Sequence, residues 1–313
     1  MAIALNDRPS IWKAGKTRIR MTSGERVYQI IAWIVIGLVM LTCIVPACYV
    51  VSTSITTKLE IARQNGFVLI PRQIQLQAYK TFFLNQTIIR AIGVSLARVV
   101  LGVVLQLLIC ALAAYALCKQ TLPGRKFFMT VLIISMLVGP GLIPAYLWSI
   151  QNGTYNTFLI YILPGAYNAW AIVLFRQFFL ALPEALLESA RIDGASEWQV
   201  MFRIMLPLSK AIFATLALFG AVGFWNDFMT NMIYVRKAEL MTIAFFLQQT
   251  LTGVSQMWLS QAASVNAFQY NTMPPAEAYK MAAVVISTVP ILLVYPFLQK
   301  HFAYGMLTGA IKG

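Results

Sequence analysis

Charge is what this sequence has least of. Only 11% of its 313 residues are Asp, Glu, Lys or Arg, against roughly 25% in an ordinary soluble domain. A water-facing surface cannot be built from so few, and the mean hydropathy of +0.73 agrees. An ordinary soluble domain is thereby excluded, and a polytopic membrane protein is expected. Acids are the scarcer sign, ten against 24 basic residues. The net charge of +14 invites a nucleic-acid reading. Cytoplasmic loops of membrane proteins collect Lys and Arg anyway, so no nucleic-acid partner is expected. One histidine, His301, excludes a multi-His metal or haem site. Cys43, Cys48, Cys110 and Cys118 fall in or at the ends of apolar runs and form no CxxC pair. Neither a disulfide framework nor a zinc site is expected. The spans hold no paired carboxylates, and the sequence has no HExxH and no GxSxG, so the chain reads as a non-enzyme. Gly15-Lys16-Thr17 looks like the end of a phosphate-binding loop, but Ser10 stands where its first glycine would be and no apolar strand precedes it.

What is present is long apolar runs. A spanning helix needs about 20 apolar residues. Six segments meet or approach this: 30–51, 91–118 (interrupted by Arg98 and Gln106), 127–148, 158–175, 211–233 (containing Asp227) and 281–297. The stretch 241–251 is too short to cross and is expected to be an interfacial helix. No cleavage site follows the basic, polar segment 1–29, so the first run is an uncleaved span. With the N-terminus inside, segments 1–28, 119–126, 176–210 and 300–313 carry 15 basic residues, while 55–87, 149–157 and 234–280 carry 7. Both termini are therefore expected in the cytoplasm. The fold expected is an all-α membrane protein of six transmembrane helices, a permease domain from residue 30 to 313 after the N-terminal segment. Gly139-Pro140-Gly141 and Pro144, Pro164-Gly165, and Pro290 with Pro296 are expected to break spans three, four and six, as in transporters with a midplane site.

The segment 182–207 reads as two short helices on the inner side. Pro183 suits a first helical position, and Gly194 suits the left-handed residue after a helix end. Ser196 with Gln199 fits a capping box, and Pro207 fits a stop before the next span. Glu184, Glu188 and Arg191 share one helix face. Val200, Met201, Ile204 and Met205 give the second helix an apolar face. Such an element suits docking to a cytosolic partner, or lying on the membrane.

The run Glu188-Ser189-Ala190, three residues, Gly194, nine residues, then Ile204-x-Leu206-Pro207 resembles the EAA loop of binding-protein-dependent ABC importers. Ser189 departs from the usual Ala. The chain from the first span onward resembles the carbohydrate-uptake permeases, on the side of the second maltose-type subunit. The features carrying this are Ala190-Arg191-Ile192-Asp193-Gly194-Ala195, the Phe224-Trp225-Asn226-Asp227-Phe228 run and the six-span count. Its tail, from Tyr295-Pro296 to Ile311-Lys312-Gly313, resembles the branch handling polysaccharide fragments and uronic-acid oligosaccharides.

This resemblance implies a type I importer permease in a bacterial cytoplasmic membrane. It implies a second permease subunit, two cytosolic ATPase subunits that bind the ATP and magnesium, and an extracytoplasmic solute-binding protein. No cofactor is expected on this chain. Glu184, Glu188, Ser189, Ala190, Arg191, Asp193, Gly194, Ile204, Leu206 and Pro207 would couple to the ATPase, with Glu188 as the polar contact and the apolar second helix filling the ATPase groove. The resemblance also implies that part of 234–280, around 250–276, reaches the binding protein.

Sugars need hydrogen-bonding groups and aromatic faces. The candidates along the pathway are Arg98, Tyr146, Tyr167, Asn168, Phe224, Trp225, Asn226 and Asp227. Asp227 is the only acid within a span, and intramembrane charge is costly enough to suggest a role; an outer-end, solvated or helix-locked Asp227 is the plainer reading. Arg98 could attract an anionic sugar, pair with a sister permease or snorkel. Trp148, Tyr155, Tyr161 and Trp170 are expected in interfacial belts. Importers of other solutes remain open, while a proton-coupled transporter would need more titratable groups than one Asp.

Overall fold

The computed structural model describes residues 22–264 and 275–310, and side-chain surroundings within 24–253 and 275–293. It divides into two units, residues 1–49 and 50–313. In the described part of the first there is one helix, α1 (Ser23–Ser54, which continues into the second unit), with apolar side chains such as Ile30, Trp33 and Leu41 exposed. Cys43 and Cys48 are exposed on it as free thiols. An 18-residue apolar window of this helix has no residue buried, which suits it to lipid rather than water.

The described second unit is built of helices joined by turns and loops, with one isolated bridge, Thr56 with Ile74, and no strand among the described residues. Short helices α2 (Lys58–Arg63) and α3 (Gln77–Leu84) lead to α4 (Gln86–Cys118). Asn85 starts α4 by accepting from the Thr87 N–H at 2.9 Å. At 1.5 Å per residue its 33 residues reach about 50 Å. Its buried residues include Ile88, Ala91, Ser95, Arg98, Gly102, Gln106 and Cys110, a three-and-four spacing that makes one stripe. The polar members sit on that stripe because lipid would leave them unpaired.

Then come α5 (Arg125–Leu137), α6 (Leu142–Gln151), a 3₁₀ turn (Phe158–Tyr161), α7 (Leu163–Ala166) and α8 (Ala169–Leu180). The loop after α8 holds α9 (Glu184–Ile192), α10 (Glu197–Gln199), a π-helical turn (Val200–Met205) and α11 (Leu206–Leu208). α12 (Lys210–Asn226), α13 (Met229–Tyr234), α14 (Ile243–Ser264) and α15 (Ala276–Ala310) complete the described chain. Among the described residues, three helices are long and apolar enough to cross a membrane, or up to six if each bent pair counts as one.

Several expected spans differ in shape. Segment 127–148 is two helices meeting at 114°. Pro140 offers no N–H to a continuing helix, and Gly141 has φ +78°. Segment 158–175 bends by 44° and runs on to Leu180. The helix expected through 233 stops at Asn226. Pro290 and Pro296 do not break α15, which runs continuously through both. The stretch 241–251 leads into the 22-residue α14, which begins at Ile243 and packs against α4 and α15, so the helix is longer than the apolar run suggested. Residues 265–274, within the expected outer segment, lie outside the described residues, as do Gly15-Lys16-Thr17 and the last three residues.

The largest core cluster joins α4 from Cys110 to Leu117, α8 from Ala169 to Phe179, the π-turn and Leu216 of α12. A second joins Ala78, Phe82, Ile88, Trp225, Ile243, Ala282 and Ala283.

Candidate functional site

A cavity of about 300 Å³ lies between α4, α7, α8 and α12. Arg98 enters it from α4, 3% exposed, and forms an ion pair with Asp227 at the end of α12. Its Nη1 also donates to the Asp227 carbonyl at 2.9 Å. Asp227 accepts from both the hydroxyl and the backbone N–H of Thr230, the latter at 3.1 Å. The carboxylate thus caps the turn into α13 while neutralising Arg98. Tyr161 and Phe224 cover the guanidinium, with ring centroids 4.8 and 5.7 Å away, a favourable placement for a desolvated cation.

Phe224 lies in a slot between two glycines. A Cβ at Gly165 would stand 2.4 Å from its ring, and one at Gly102 3.0 Å. Gln106 faces Gly220 just as closely: a Cβ there would sit 2.6 Å from Oε1. That Oε1 and the Arg98 Nε are buried without a hydrogen-bond partner. Asn168 caps α8 by accepting from the Ala171 N–H at 3.0 Å. The Tyr167 hydroxyl meets Ser135 Oγ at 2.6 Å. Trp170 and Phe219 stand edge to face at 5.7 Å on the cavity wall.

Of the expected pathway residues, Arg98, Tyr167, Asn168, Phe224 and Asp227 line this cavity. Trp225 turns away: it is 5% exposed, packs toward α15 and donates from Nε1 to the Ser287 carbonyl at 2.9 Å. Consecutive helix residues point about 100° apart, so Phe224 and Trp225 cannot share a face. Asn226 is exposed. Tyr146 stands apart, in an aromatic group with Tyr155 at 5.5 Å and Tyr234 at 6.1 Å. Arg98 neither snorkels nor stands free. Tyr161, expected in a membrane belt, is 1% exposed and donates to the Leu240 carbonyl at 2.7 Å. Trp170, expected in an interfacial belt, lines the cavity, and Gln106, Phe219 and Gly220 were missed as cavity residues because single residues within apolar runs carry no motif.

The loop from α9 to α11 is built as a corner. Asp193 ends α9, and Gly194 takes φ +81°. The Ala195 N–H donates to the Ala190 carbonyl at 3.0 Å, and the Gly194 N–H to the Arg191 carbonyl at 3.1 Å. These are the two bonds of a Schellman ending. The capping box follows: the Ser196 N–H donates to Gln199 Oε1 at 2.8 Å and the Gln199 N–H to Ser196 Oγ at 3.4 Å. Pro183 is the residue before α9 rather than its first, and Pro207 lies inside α11, so the helix ends at Leu208. Glu184, Glu188, Ser189, Arg191, Asp193, Gly194 and Pro207 are exposed, while Ala190, Ile204 and Leu206 are half-buried.

One expectation is overturned. Val200, Met201 and Met205 are at most 2% exposed and pack into the main core. They anchor the loop to α4 and α8 and are not available to a partner's groove. The outward apolar residues are Leu186, Ile192, Trp198 and Phe202, the last two stacked at 5.9 Å. The helices Glu197–Leu208 and α12 meet at 80°, so the loop does not prolong that span. Glu197, outside it, takes the Tyr115 hydroxyl, which holds its carboxyl below the usual value of 4.5 against the opposing effect of burial. Lys119 and Arg191 add to this. A depressed carboxylate contributes stability above its unfolded value and loses it as pH falls through the folded one, so this tie is fully present at neutral pH.

Residues 111–308, which take in the loop and most of the cavity wall, match the family described as binding-protein-dependent transport system inner membrane component. The chain belongs to this family. Members are transport permease components, so no catalytic centre is assigned to this chain. Protein LplC of Bacillus subtilis is 40% identical over 93% of this chain and 97% of its own length. The polygalacturonan/rhamnogalacturonan transport system permease protein YtcP of the same organism is 34% identical over 92% of this permease and 99% of its own. A crystal structure of a bacterial ABC transporter involved in the import of the acidic polysaccharide alginate has a chain that superposes with a TM-score of 0.81 at 27% identity, covering 90% of this chain and 99% of that one. This permease is therefore a carbohydrate-importer homologue with the importer fold.

Proposed function

We propose that this chain is one of two permease subunits of an ATP-driven importer that brings an acidic oligosaccharide across a bacterial cytoplasmic membrane. Six crossings, with both termini inside, fit the basic-residue bias, the three long apolar helices, the two bent pairs before the loop, and α12 after it. The loop from α9 through the Gly194 corner to α10 carries the proposal. It is rigidly capped, fixed to the core by Val200, Met201 and Met205, and presents Glu184, Glu188, Ile192 and Trp198 outward. Such a corner suits a groove on a cytosolic ATPase, with Glu188 as its polar contact and Ile192 and Trp198 as its apolar ones. An extracytoplasmic binding protein would deliver the sugar. ATP-driven closure of the ATPase pair would move the loops and switch the spans between two states.

The acidic character of the sugar is supported by the galacturonan and alginate transport of the relatives. Arg98 is not a free cation for it, being neutralised by Asp227. The cavity offers sugar hydroxyls Tyr167 and Asn168, and offers ring faces Trp170 and Phe219.

Purification from the native membrane in mild detergent tests the proposal. An ATPase is expected with the wild-type chain and is expected to be lost or uncoupled with Glu188→Lys. A wild-type chain that runs alone and moves solute down an ion gradient would overturn it.

A further inference from the structure

Glu197 is the one acid that joins the inner loop to the end of α4 among the described residues. Its Oε2 accepts from the Tyr115 hydroxyl and lies 3.0 Å from Lys119 Nζ; Tyr115 and Lys119 are both at the inner end of α4. Its Oε1 lies 3.6 Å from Arg191 Nε, on the other arm of the loop. Lys119 Nζ also stands 5.2 Å from the centroid of the Tyr115 ring. One carboxylate therefore holds α9, α10 and α4 together. Its own position is set by the capping box one residue before it, which fixes the first turn of α10.

Besides the apolar packing of Val200, Met201 and Met205 against α4 and α8, two routes lead from the loop to the cavity. The covalent one passes through the π-helical turn and an 80° bend at Ser209 before reaching α12. Such breaks absorb motion. The other passes through Glu197 into α4, a single unbroken helix that carries Arg98 and Gln106 on the cavity wall. Tyr115 and Arg98 lie on that helix about 25 Å apart at 1.5 Å per residue. A continuous helix is a rigid element able to carry a displacement over that distance.

We infer that Glu197 is a positioning residue that transmits movement of the loop to α4, so that uptake depends on it while docking of the ATPase does not. The inference rests on the loop being the ATPase-docking element. It is distinct from that reading because Glu188, Ile192 and Trp198 are exposed, whereas Glu197, though its side chain is 48% exposed, is tied to Tyr115 and Lys119 at the end of α4.

The test uses the whole complex with its binding protein in proteoliposomes, with oligogalacturonides as the transported probe. Glu197→Ala and Tyr115→Phe are compared with wild type for ATPase retained, ATP hydrolysed and sugar taken up. The ATPase is expected to stay bound in both variants, while sugar taken up per ATP hydrolysed falls about tenfold in Glu197→Ala, the scale of a typical coupling between sites. Tyr115→Phe removes one hydroxyl and is expected to fall between. Uptake per ATP unchanged in Glu197→Ala overturns the inference, as does loss of the ATPase in that variant, which would place Glu197 in docking. Absence of the ATPase from the wild-type complex instead removes the docking reading beneath it. A Glu197→Ala chain that fails to fold leaves Tyr115→Phe to decide, by the same ratio.

Discussion

Arg98 is the most consequential single side chain because it is a cation that neither lipid nor water solvates. Asp227 meets it across the end of α12, and Tyr161 and Phe224 close over it. Removing one member of such a pair leaves an uncompensated buried charge, which costs about 3–5 kcal/mol, whereas replacing both with apolar groups is nearly neutral. Asp227→Ala is expected to lower thermal stability in detergent strongly, and Arg98→Met with Asp227→Leu to recover most of it. A double-mutant cycle measures this; additive effects would show that the two do not act as a pair. The Phe224 slot makes a second prediction. Gly165→Ala places a methyl 2.4 Å from the ring, so a loss of about 1–3 kcal/mol is expected from overpacking. Adding Phe224→Leu is expected to restore stability in the same melting experiment.

The loop from α9 to α11 separates outward from inward residues over a few positions. Trp198 is 64% exposed and Met201 only 2%. Trp198→Ala is expected to leave stability nearly unchanged while weakening retention of the ATPase. Met201→Ala is expected to cost about 2–5 kcal/mol by opening a core cavity. Melting temperature and pull-down measured on both variants check this; equal effects on both readouts would mean the loop is not two-sided. The helical corner was legible beforehand because its signals are local: a glycine beyond a helix end and a Ser-x-x-Gln box. Which face looked outward was not legible. Val200, Met201 and Met205 are apolar whether they meet a partner or their own core, and only the packing of α4 and α8 against them decides it.

Topology is a property of the whole chain, and six crossings with both termini inside make a direct prediction. In a background without the four native cysteines, Gln120→Cys is expected to react with an impermeant thiol reagent only from the cytoplasmic side, and Asn152→Cys only from outside. Both positions are exposed. Labelling of both from one side would break the proposed order of crossings at the α5–α6 pair, whose 114° bend is the sharpest of the three bent pairs among the described residues.

Membrane class, helical content, the broken third and fourth apolar runs, the capped inner loop and family membership were all determined by the sequence alone. Each depends on local composition or on fixed spacing: 11% charge, long apolar runs, Gly139-Pro140-Gly141, and the interval from Glu188 to Pro207. The tertiary structure alone decided that Arg98 belongs to Asp227, that Trp225 serves α15 rather than the cavity, that Tyr161 is buried beneath a cation, and that Glu197 ties the loop to α4. Those are meetings between residues from tens of positions to more than a hundred apart. A one-dimensional pattern records which groups need partners in a membrane, but only the packing of the helices determines which partners they receive.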